Sequence, residues 1–424
     1  MNFIRLLPFL SLLAVMPPAW AQKSPAPAPF EPTPTFEAAQ FLGPDLMKGP
    51  HHQVRELAQS DGFLIHFVID SDFGIFECSG IREVPTRVRE IEAIATLIAV
   101  SRSDLFAEGL RRSVEEPIEA AKNIVENPVD SVKQVPHTVG RLFSQIGSSV
   151  GSAVRKVGNT EPGRERNSEE APRQSIGRKI VGIAGFDKAK LNCARQLGVD
   201  PYSDNLRLQE EMEKVTWAFF AGGLPLNIGV KVASSGASIG LTATELVGLP
   251  EEIYEASPAE LALRDRRILE NLGIKIGVID AVIENPDLPA SLRHQITTTL
   301  PHLGDGPGRA EFVRLMVNCE NGIQARFLSE ALTLMAQRHE VTPYASYAIF
   351  GKLPAAYLPD GSMELVAPFD FVSWTEEFSE FIQKSPFESP TKRLVLTGNV
   401  SPTAAKALPT FGWETITVTT TPTP

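Results

Sequence analysis

A stripe of apolar residues in one stretch, residues 117–150, constrains the fold more than any other feature of this chain. Its members recur at steps of three, four and eleven residues, the spacing that lines up one face of an α-helix. They are Ile118, Ala121, Val125, Val129, Val132, Val139, Phe143, Ile146 and Val150. Pro128 and Pro136 interrupt the stretch, because proline lacks a backbone donor and clashes with the preceding turn. The pattern predicts short amphipathic helices whose shared apolar side must be covered by the protein's own core, a partner protein or a membrane surface.

The first residues, 1–21, have the pattern of an export signal. Arg5 supplies the positive start, residues 6–15 form an apolar run, and residues 19–21 have the small-x-small pattern of a cleavage site. The apolar run is too short to span the ~30 Å of hydrocarbon in a bilayer. We therefore predict cleavage before Gln22 and export to the periplasm or the cell exterior.

The net charge and the length of the chain limit which functions it can have. The chain has 40 Lys and Arg against 51 Asp and Glu, a net charge of -11. An acidic chain excludes general nucleic-acid binding, which needs a basic surface to displace counterions. The same acidity disfavours simple electrostatic attraction of the whole protein to anionic lipid. The 424 residues, 43% of them hydrophobic, are enough for two or three domains.

The cysteines predict no metal site and no disulfide scaffold. Cys78, Cys193 and Cys319 are far apart in the sequence and lack the paired spacing of zinc ligands. Two arrangements remain open from the sequence: one disulfide with a free thiol, or three buried thiols.

Shifts in composition divide the chain into six segments. Residues rich in Pro and Ala follow the signal, and a polar, mixed-charge stretch with no apolar period separates two helical regions. The predicted segments are a signal peptide (1–21), a Pro/Ala-rich tether (22–36), a β-hairpin with amphipathic helices (37–150), a disordered linker or loop (151–178), a helical domain (179–342) and a small α/β unit with a frayed tail (343–424).

In the first half of the chain the patterns predict one hairpin and several helices. Residues 62–80 contain two runs rich in Ile, Phe and Val on either side of a polar turn at 70–72. Helices are predicted at 84–100, at 103–114, and at 206–221 after a capping turn.

In the second half, helical signals precede a mixed region. Ser257 caps a helix that Gly273 ends, Ser291 caps the next, and a helix of about thirty residues is predicted over 308–340. Short strands then alternate with helices from Tyr344 to the end, and a strand–helix–strand arrangement suggests a parallel crossover. The expected fold class is mainly α, with a multi-helix core, an N-terminal β-hairpin and a small C-terminal α/β unit.

One short motif points to hydrolysis. Residues 236–240 match G-x-S-x-G, which in hydrolases places a serine, here Ser238, on a sharp turn between a strand and a helix. The candidate bases and acids are His294, His302, His339, Asp280, Asp287 and Asp305. Helices are predicted on both sides of the motif, so the sheet that such a turn needs is missing, and close helix packing is the alternative interpretation.

No pattern predicts a metal or a cofactor. His51, His52 and His66, with Asp70 and Asp72, are metal-ligating residue types, but their spacing matches no metal site. Neither of the glycine-rich phosphate loops follows a predicted strand.

The leading hypothesis from the sequence is an exported, non-enzymatic interaction protein. Its amphipathic series would cover a partner protein or a membrane surface, with no role in nucleic-acid binding. The anchors would be Val132, Leu142, Phe143 and Ile146, because large apolar side chains contribute most on burial. The alternative is a secreted serine hydrolase with Ser238 as nucleophile. A third interpretation keeps the stripe inside the protein's own core.

Overall fold

β-structure makes up more of this protein than its sequence indicates. The computed structural model describes residues 29–114, 184–228, 249–383, 387 and 389–418. Within them the strands form two five-stranded sheets and a two-stranded sheet. The expectation of a mainly α protein with one hairpin and a small α/β unit is therefore wrong. The strands are β1 (Thr35–Glu37), β2 (His52–Val54), β3 (Leu57–Ser60), β4 (Ile65–Ser71), β5 (Gly74–Ser79), β6 (Ser346–Phe350), β7 (Leu353–Tyr357), β8 (Met363–Val366), β9 (Phe371–Val372), β10 (Lys392–Leu396), β11 (Asn399–Val400) and β12 (Trp413–Thr417).

Helices cover these sheets. They are α1 (Pro44–Met47), α2 (Glu83–Ser101), α3 (Asp104–Val114), α4 (Ala184–Leu197), α5 (Leu206–Ala221), α6 (Pro258–Asn271), α7 (Ile276–Ile283), α8 (Ala290–Thr299), α9 (Phe312–Val317), α10 (Gly322–Val341), α11 (Glu376–Gln383) and α12 (Pro402–Ala407). The helices predicted at 84–100, 103–114 and 206–221 are confirmed as α2, α3 and α5, each within one residue.

The N-terminal sheet is antiparallel, with β4 at its centre. β5 pairs with one edge of β4, β3 and β2 pair with the other edge, and β1 extends the sheet beyond β3. Side chains alternate along β4, as strand geometry requires. Ile65, Phe67 and Ile69 are buried in the core, whereas His66 and Asp70 lie on the opposite, partly exposed face.

The predicted hairpin over 62–80 is confirmed as β4 and β5, but its turn comes later than expected. Ser71 pairs with Gly74, so the two residues between them form the turn. This register places His66 directly opposite Ser79.

The other strands of this sheet are too short to give a sequence signal. The sequences of β1, β2 and β3 are TFE, HQV and LAQS, and each strand has only three or four residues. β2 and β3 pair with the longer β4, and β1 pairs with β3, so their stability comes from pairing with other strands, which is a tertiary effect. A pattern of apolar residues along the chain does not reveal them.

Helices α2 to α5 form a layer against the buried face of the N-terminal sheet. Apolar residues of the sheet and of these helices belong to one continuous hydrophobic core. Asn205 begins α5 by accepting the backbone N–H of Leu208 (3.2 Å), which confirms the capping turn predicted before this helix.

The helices of the second half begin as predicted in one case and not in another. Ser257 and Glu260 form a capping box at the start of α6, and Gly273 follows the helix with a φ of 74°. Ser291 does not cap α8; it lies inside the helix and donates its hydroxyl to Asp200.

The long helix predicted over 308–340 is broken into two. α9 ends at Val317, and α10 begins at Gly322 after four intervening residues, with a cap from Asn321, which accepts the backbone N–H of Gln324 (2.9 Å). The sequence between them, NCEN, combines two strong capping residues, so the chain turns although the apolar period continues.

The C-terminal sheet is mixed and buried on both faces. Its order is β12-β10-β8-β7-β6. β8, β10 and β12 are parallel to one another, and β7 is antiparallel to both of its neighbours, β8 and β6. The predicted strand–helix–strand crossover is confirmed by the parallel pairing of β10 with β12. Val366 and Val395 belong to the core that contains α10, while Leu365 and Leu394 belong to the core of α11 and α12. This is a three-layer arrangement.

Asp370 joins the two halves of the protein. Its Oδ2 atom accepts the backbone N–H of Ile65 (3.0 Å) and of Ile81 (3.1 Å) from the N-terminal sheet region. Burial raises the pKa of Asp370 to about 6. Gly398 packs directly on this residue, where a Cβ would lie 1.8 Å from the Asp370 carbonyl oxygen.

A buried network of ion pairs joins α2, the turn before α5, and α10. Arg87 pairs with Glu83 (2.8 Å), Glu90 (2.8 Å) and Asp204 (3.1 Å), and Arg326 pairs with Glu83 (3.3 Å). Buried ion pairs of this kind add little net stability, but removing one partner is costly. The network therefore fixes how these three elements meet.

Candidate functional site

The five residues that the sequence nominates for function lie outside the described residues. Four are the predicted binding anchors Val132, Leu142, Phe143 and Ile146, and the fifth is the alternative nucleophile Ser238. The structure describes the residues that flank both segments.

Residues 115–183, which carry the predicted amphipathic series, follow α3 and precede α4. Both helices pack on α5. α3 crosses α5 so closely that a Cβ at Gly109 would lie 2.6 Å from the carbonyl oxygen of Ala218. On α4, the ring of Phe186 lies 6.0 Å from that of Trp217. Gly109 is five residues, or about 8 Å of helix, before the end of α3, and Phe186 is two residues after the start of α4. The end of α3 and the start of α4 therefore both lie near the C-terminal end of α5.

Residues 229–248, which contain the G-x-S-x-G motif, also begin and end beside one helix. Gln196 on α4 accepts the backbone N–H of Ile228 (2.9 Å) at the start of the segment. Arg195, the preceding residue of α4, pairs with Glu251 (2.9 Å) just after the segment ends.

The histidines proposed as bases for the motif have different surroundings. His294 is fully buried and contacts Asp265 (2.6 Å) and Glu252 (3.3 Å). Burial lowers the pKa of His294, but these two carboxylates raise it by more, and the net direction is upward. His339 accepts a backbone N–H from the turn before β6 at 3.0 Å, and His302 is exposed.

The proposed acids are also occupied or exposed. Asp280 pairs with Arg266, Asp305 pairs with Arg309 (3.2 Å), and Asp287 lies on the surface. Among the described residues, no proposed base contacts a proposed acid.

The candidate metal ligands do not come together at one site. His51 pairs with Asp72 (2.9 Å), the Nε2 atom of His52 lies 3.1 Å from a backbone carbonyl oxygen, and Asp70 forms two hydrogen bonds with Arg55. Over the part of the chain that the structure describes, no three His, Cys, Asp or Glu side chains are placed to hold a metal ion.

The three cysteines are buried free thiols. Burial raises the pKa of Cys193 and of Cys319 to about 12, and that of Cys78 well above its ordinary value. A thiol in this state is a poor nucleophile, because the thiolate is the reactive form. Of the two arrangements left open by the sequence, the structure has three unpaired thiols.

A hydrogen-bonded constellation that the sequence did not reveal lies on the partly exposed face of the N-terminal sheet. His66 lies with Nε2 3.0 Å from Asp61 Oδ2 and with Nδ1 3.3 Å from Ser79 Oγ. The other oxygen of Asp61 accepts the backbone N–H groups of Phe63 (2.9 Å) and Leu64 (2.8 Å). The backbone therefore holds the Asp61 carboxylate in place independently of its contact with the imidazole.

Local folding accounts for this arrangement. Ser79 is the last residue of β5, Gly80 follows with a φ of 112°, and α2 begins at Glu83. Cross-strand pairing places Ser79 beside His66. A two-residue turn at 72–73, in place of the predicted turn at 70–72, is the signal that pairs His66 with Ser79, because a two-residue turn fixes the register of both strands.

Carboxylates surround the constellation. Glu83 Oε2 accepts the backbone N–H of Ser79 at 2.8 Å. On α11, burial raises the pKa of Glu377, and the charge of Asp61 raises it further. The side chains of His66 and Asp61 are 16% and 12% exposed, so the imidazole is within reach of solvent.

Among the helices that the structure describes, none has both the length and the apolar character needed to cross a membrane. No protein-family model matches the chain, and no curated protein or solved structure is significantly similar to it.

Proposed function

We propose that this chain is an exported interaction protein that binds a membrane surface through residues 117–150. The observation that carries the proposal is that residues 115–183 begin and end at the same end of α5. α3 ends and α4 begins against the same helix, so residues 115–183 connect two helices that both pack on α5. A connecting segment whose sequence has a continuous apolar stripe is suited to contacts outside the described core.

Charge within the segment favours a membrane over a protein partner. Residues 115–130 carry five acidic side chains and one basic side chain, whereas residues 131–160 carry four basic side chains and no acidic ones. Near an anionic lipid surface each basic residue contributes about 1 kcal/mol. The basic half contains all four predicted anchors, so apolar burial and charge attraction act together although the whole chain is acidic.

Vesicle flotation tests the proposal. The protein from Gln22 onward is mixed with vesicles of phosphatidylcholine and phosphatidylglycerol, and we expect it to float with them. Phe143→Asp should lose most of the binding, because a large apolar group becomes a charge on the stripe. Gln145→Asp is the matched control: it adds the same charge off the stripe and should keep most of the binding.

Three other outcomes would contradict the membrane proposal. If neither protein floats and Phe143→Asp unfolds by circular dichroism, the stripe belongs to the core. If neither floats and the variant stays folded, the stripe faces a protein partner. If both variants lose binding equally, charge alone explains the attraction, and the apolar anchors have no role.

A further inference from the structure

The three side chains on the partly exposed face of the N-terminal sheet have the connectivity of a nucleophilic site. Asp61 holds the Nε2 atom of His66, and the Nδ1 atom of the same ring faces the hydroxyl of Ser79. A carboxylate that accepts the Nε2 proton leaves a lone pair on Nδ1, and this lone pair can accept the serine proton. The geometry points to Ser79 as a nucleophile, His66 as its general base and Asp61 as the positioning residue, a second activity independent of membrane binding.

In serine proteases Nδ1 faces the aspartate and Nε2 faces the serine, and here the two nitrogens are reversed. The imidazole can still act as a general base. A triad is recognised by geometry and roles, and either nitrogen is a base when the other carries the held proton. The distances of 3.0 Å from Asp61 to His66 and 3.3 Å from His66 to Ser79 are those of a site without substrate.

The position of Ser79 resembles that of other hydrolase nucleophiles. It ends a strand, a glycine with positive φ follows, and a 19-residue helix begins four residues later. Some hydrolases also place their serine between a strand and a helix, although Ser79 itself stays in the strand ladder, opposite His66. Since His66 is only 16% exposed, the site suits a small carboxylic ester that approaches from solvent.

The reaction needs only the ester and water. The Ser79 oxygen bonds to the acyl carbon, its proton moves to Nδ1 of His66, and the ester C–O bond breaks. The leaving alkoxide takes that proton and departs as the alcohol. Water then attacks the acyl-serine, passes its proton through Nδ1, and releases the acid with Ser79 restored.

Turnover should be slow, and covalent labelling is the sharper measurement. In many hydrolases the serine backbone N–H helps to stabilise the oxyanion, but here Glu83 Oε2 accepts that N–H at 2.8 Å. A fluorophosphonate probe reports nucleophile activation directly, because the serine oxygen bonds to phosphorus once and fluoride leaves.

The test measures the rate of fluorophosphonate labelling on the full chain from Gln22, with peptide mapping of the adduct. We expect an adduct on Ser79, none in Ser79→Ala, and a rate at least about 100-fold lower in His66→Gln, since general-base help is worth roughly 10²–10⁴-fold. Ser71→Ala changes another serine of the same hairpin and should label at the wild-type rate.

Asp61→Asn separates positioning from structure. The Asn side chain can still accept the backbone N–H groups of Phe63 and Leu64, but its NH₂ group would donate to Nε2 and place the ring proton on Nδ1. We expect labelling to fall about 100-fold or more while the melting temperature stays within about 2 °C of the wild type. Absence of an adduct on Ser79, an adduct on Ser238 instead, or equal labelling of His66→Gln and the wild type would overturn the proposal.

Discussion

Two aspartate–histidine pairs in this molecule use the same chemical groups in opposite settings. Asp265 and His294 are 2.6 Å apart, with side chains 0% and 1% exposed. Asp61 and His66 are 3.0 Å apart, with side chains 12% and 16% exposed. The free nitrogen of the buried pair faces a second carboxylate, and that of the exposed pair faces a hydroxyl. The surroundings of the second nitrogen and its access to solvent, rather than residue types, distinguish a structural pair from a reactive one.

The buried pair joins two helices. Asp265 on α6 accepts hydrogen bonds from both Arg293 (2.8 Å) and His294 on α8, and all three side chains are at least nine-tenths buried. The carboxylate balances the charge of two neighbouring groups, so removing it leaves them buried without a partner. The Asp61–His66 pair shares less of this cost, because its side chains are 12% and 16% exposed and water reaches them.

The largest expected effect is that of Asp265→Ala. We expect the free energy of unfolding to fall by about 3–5 kcal/mol, because a buried guanidinium and a buried imidazole lose their partner. Urea denaturation followed by circular dichroism measures it. Asp280→Ala, which removes a half-exposed ion pair from the neighbouring helix α7, is the control and should cost less than about 1 kcal/mol. Equal losses in the two variants would show that burial does not distinguish the pairs.

Asp370 sharpens the comparison, because it is a buried carboxylate held by backbone N–H groups rather than by a cation. Its pKa is about 6 in the folded protein against 3.8 when unfolded, so the folded state binds its proton more tightly. Stability should therefore fall as pH rises from about 4 to 6, by on the order of 3 kcal/mol. Asp370→Asn removes the contribution of Asp370 to this slope; Asp200 and Glu330, whose pKa values burial also raises, should still contribute to it.

Unfolding free energies at several pH values between 4 and 7 measure this effect. The variant should be more stable than the wild type at pH 7 and no more stable at pH 4. A wild-type curve that rises over the same range would contradict the assignment of the buried carboxylate.

His294→Gln tests the buried pair from the other side. Burial lowers the pKa of His294, but Asp265 and Glu252 raise it by more, so the folded pKa lies above the ordinary value of 6.5. The stabilising contribution is complete below pH 6.5 and is lost as pH rises through the raised pKa. Gln cannot titrate, so the variant should not show the loss of stability above pH 6.5 that the wild type shows in thermal unfolding. Parallel stability curves for the variant and the wild type would contradict the raised pKa of His294.

The sequence predicts what is local and misses what depends on register. Asn205 before α5 and Ser257 before α6 cap their helices as expected. The hydrogen bond of such a cap joins residues only three positions apart, so the local sequence predicts it. Ser291 has the same residue type, yet Asp200 binds its hydroxyl from a distant part of the chain. No pattern near Ser291 contains that information.

The candidate site shows the same limit. Along the chain, His66 lies among residues of metal-ligating type, but its neighbours in the fold, Asp61 and Ser79, come from a turn and an opposite strand. A shift of one residue in a hairpin register turns every side chain to the other face. The short strands β1, β2 and β3 give no sequence signal for a related reason, since pairing with other strands is what stabilises them.

The smallest expected effect is on the stability of the exposed pair. His66→Gln should change the free energy of unfolding by less than about 1 kcal/mol, because Asp61 keeps the backbone N–H groups of Phe63 and Leu64 and water reaches it. Urea denaturation under the conditions used for Asp265→Ala measures it. A loss as large as that of Asp265→Ala would mean that Asp61 and His66 are also a structural pair. A small loss of unfolding free energy, combined with lost labelling of Ser79, would show that the Asp61–His66 pair serves reactivity and the Asp265–His294 pair serves structure.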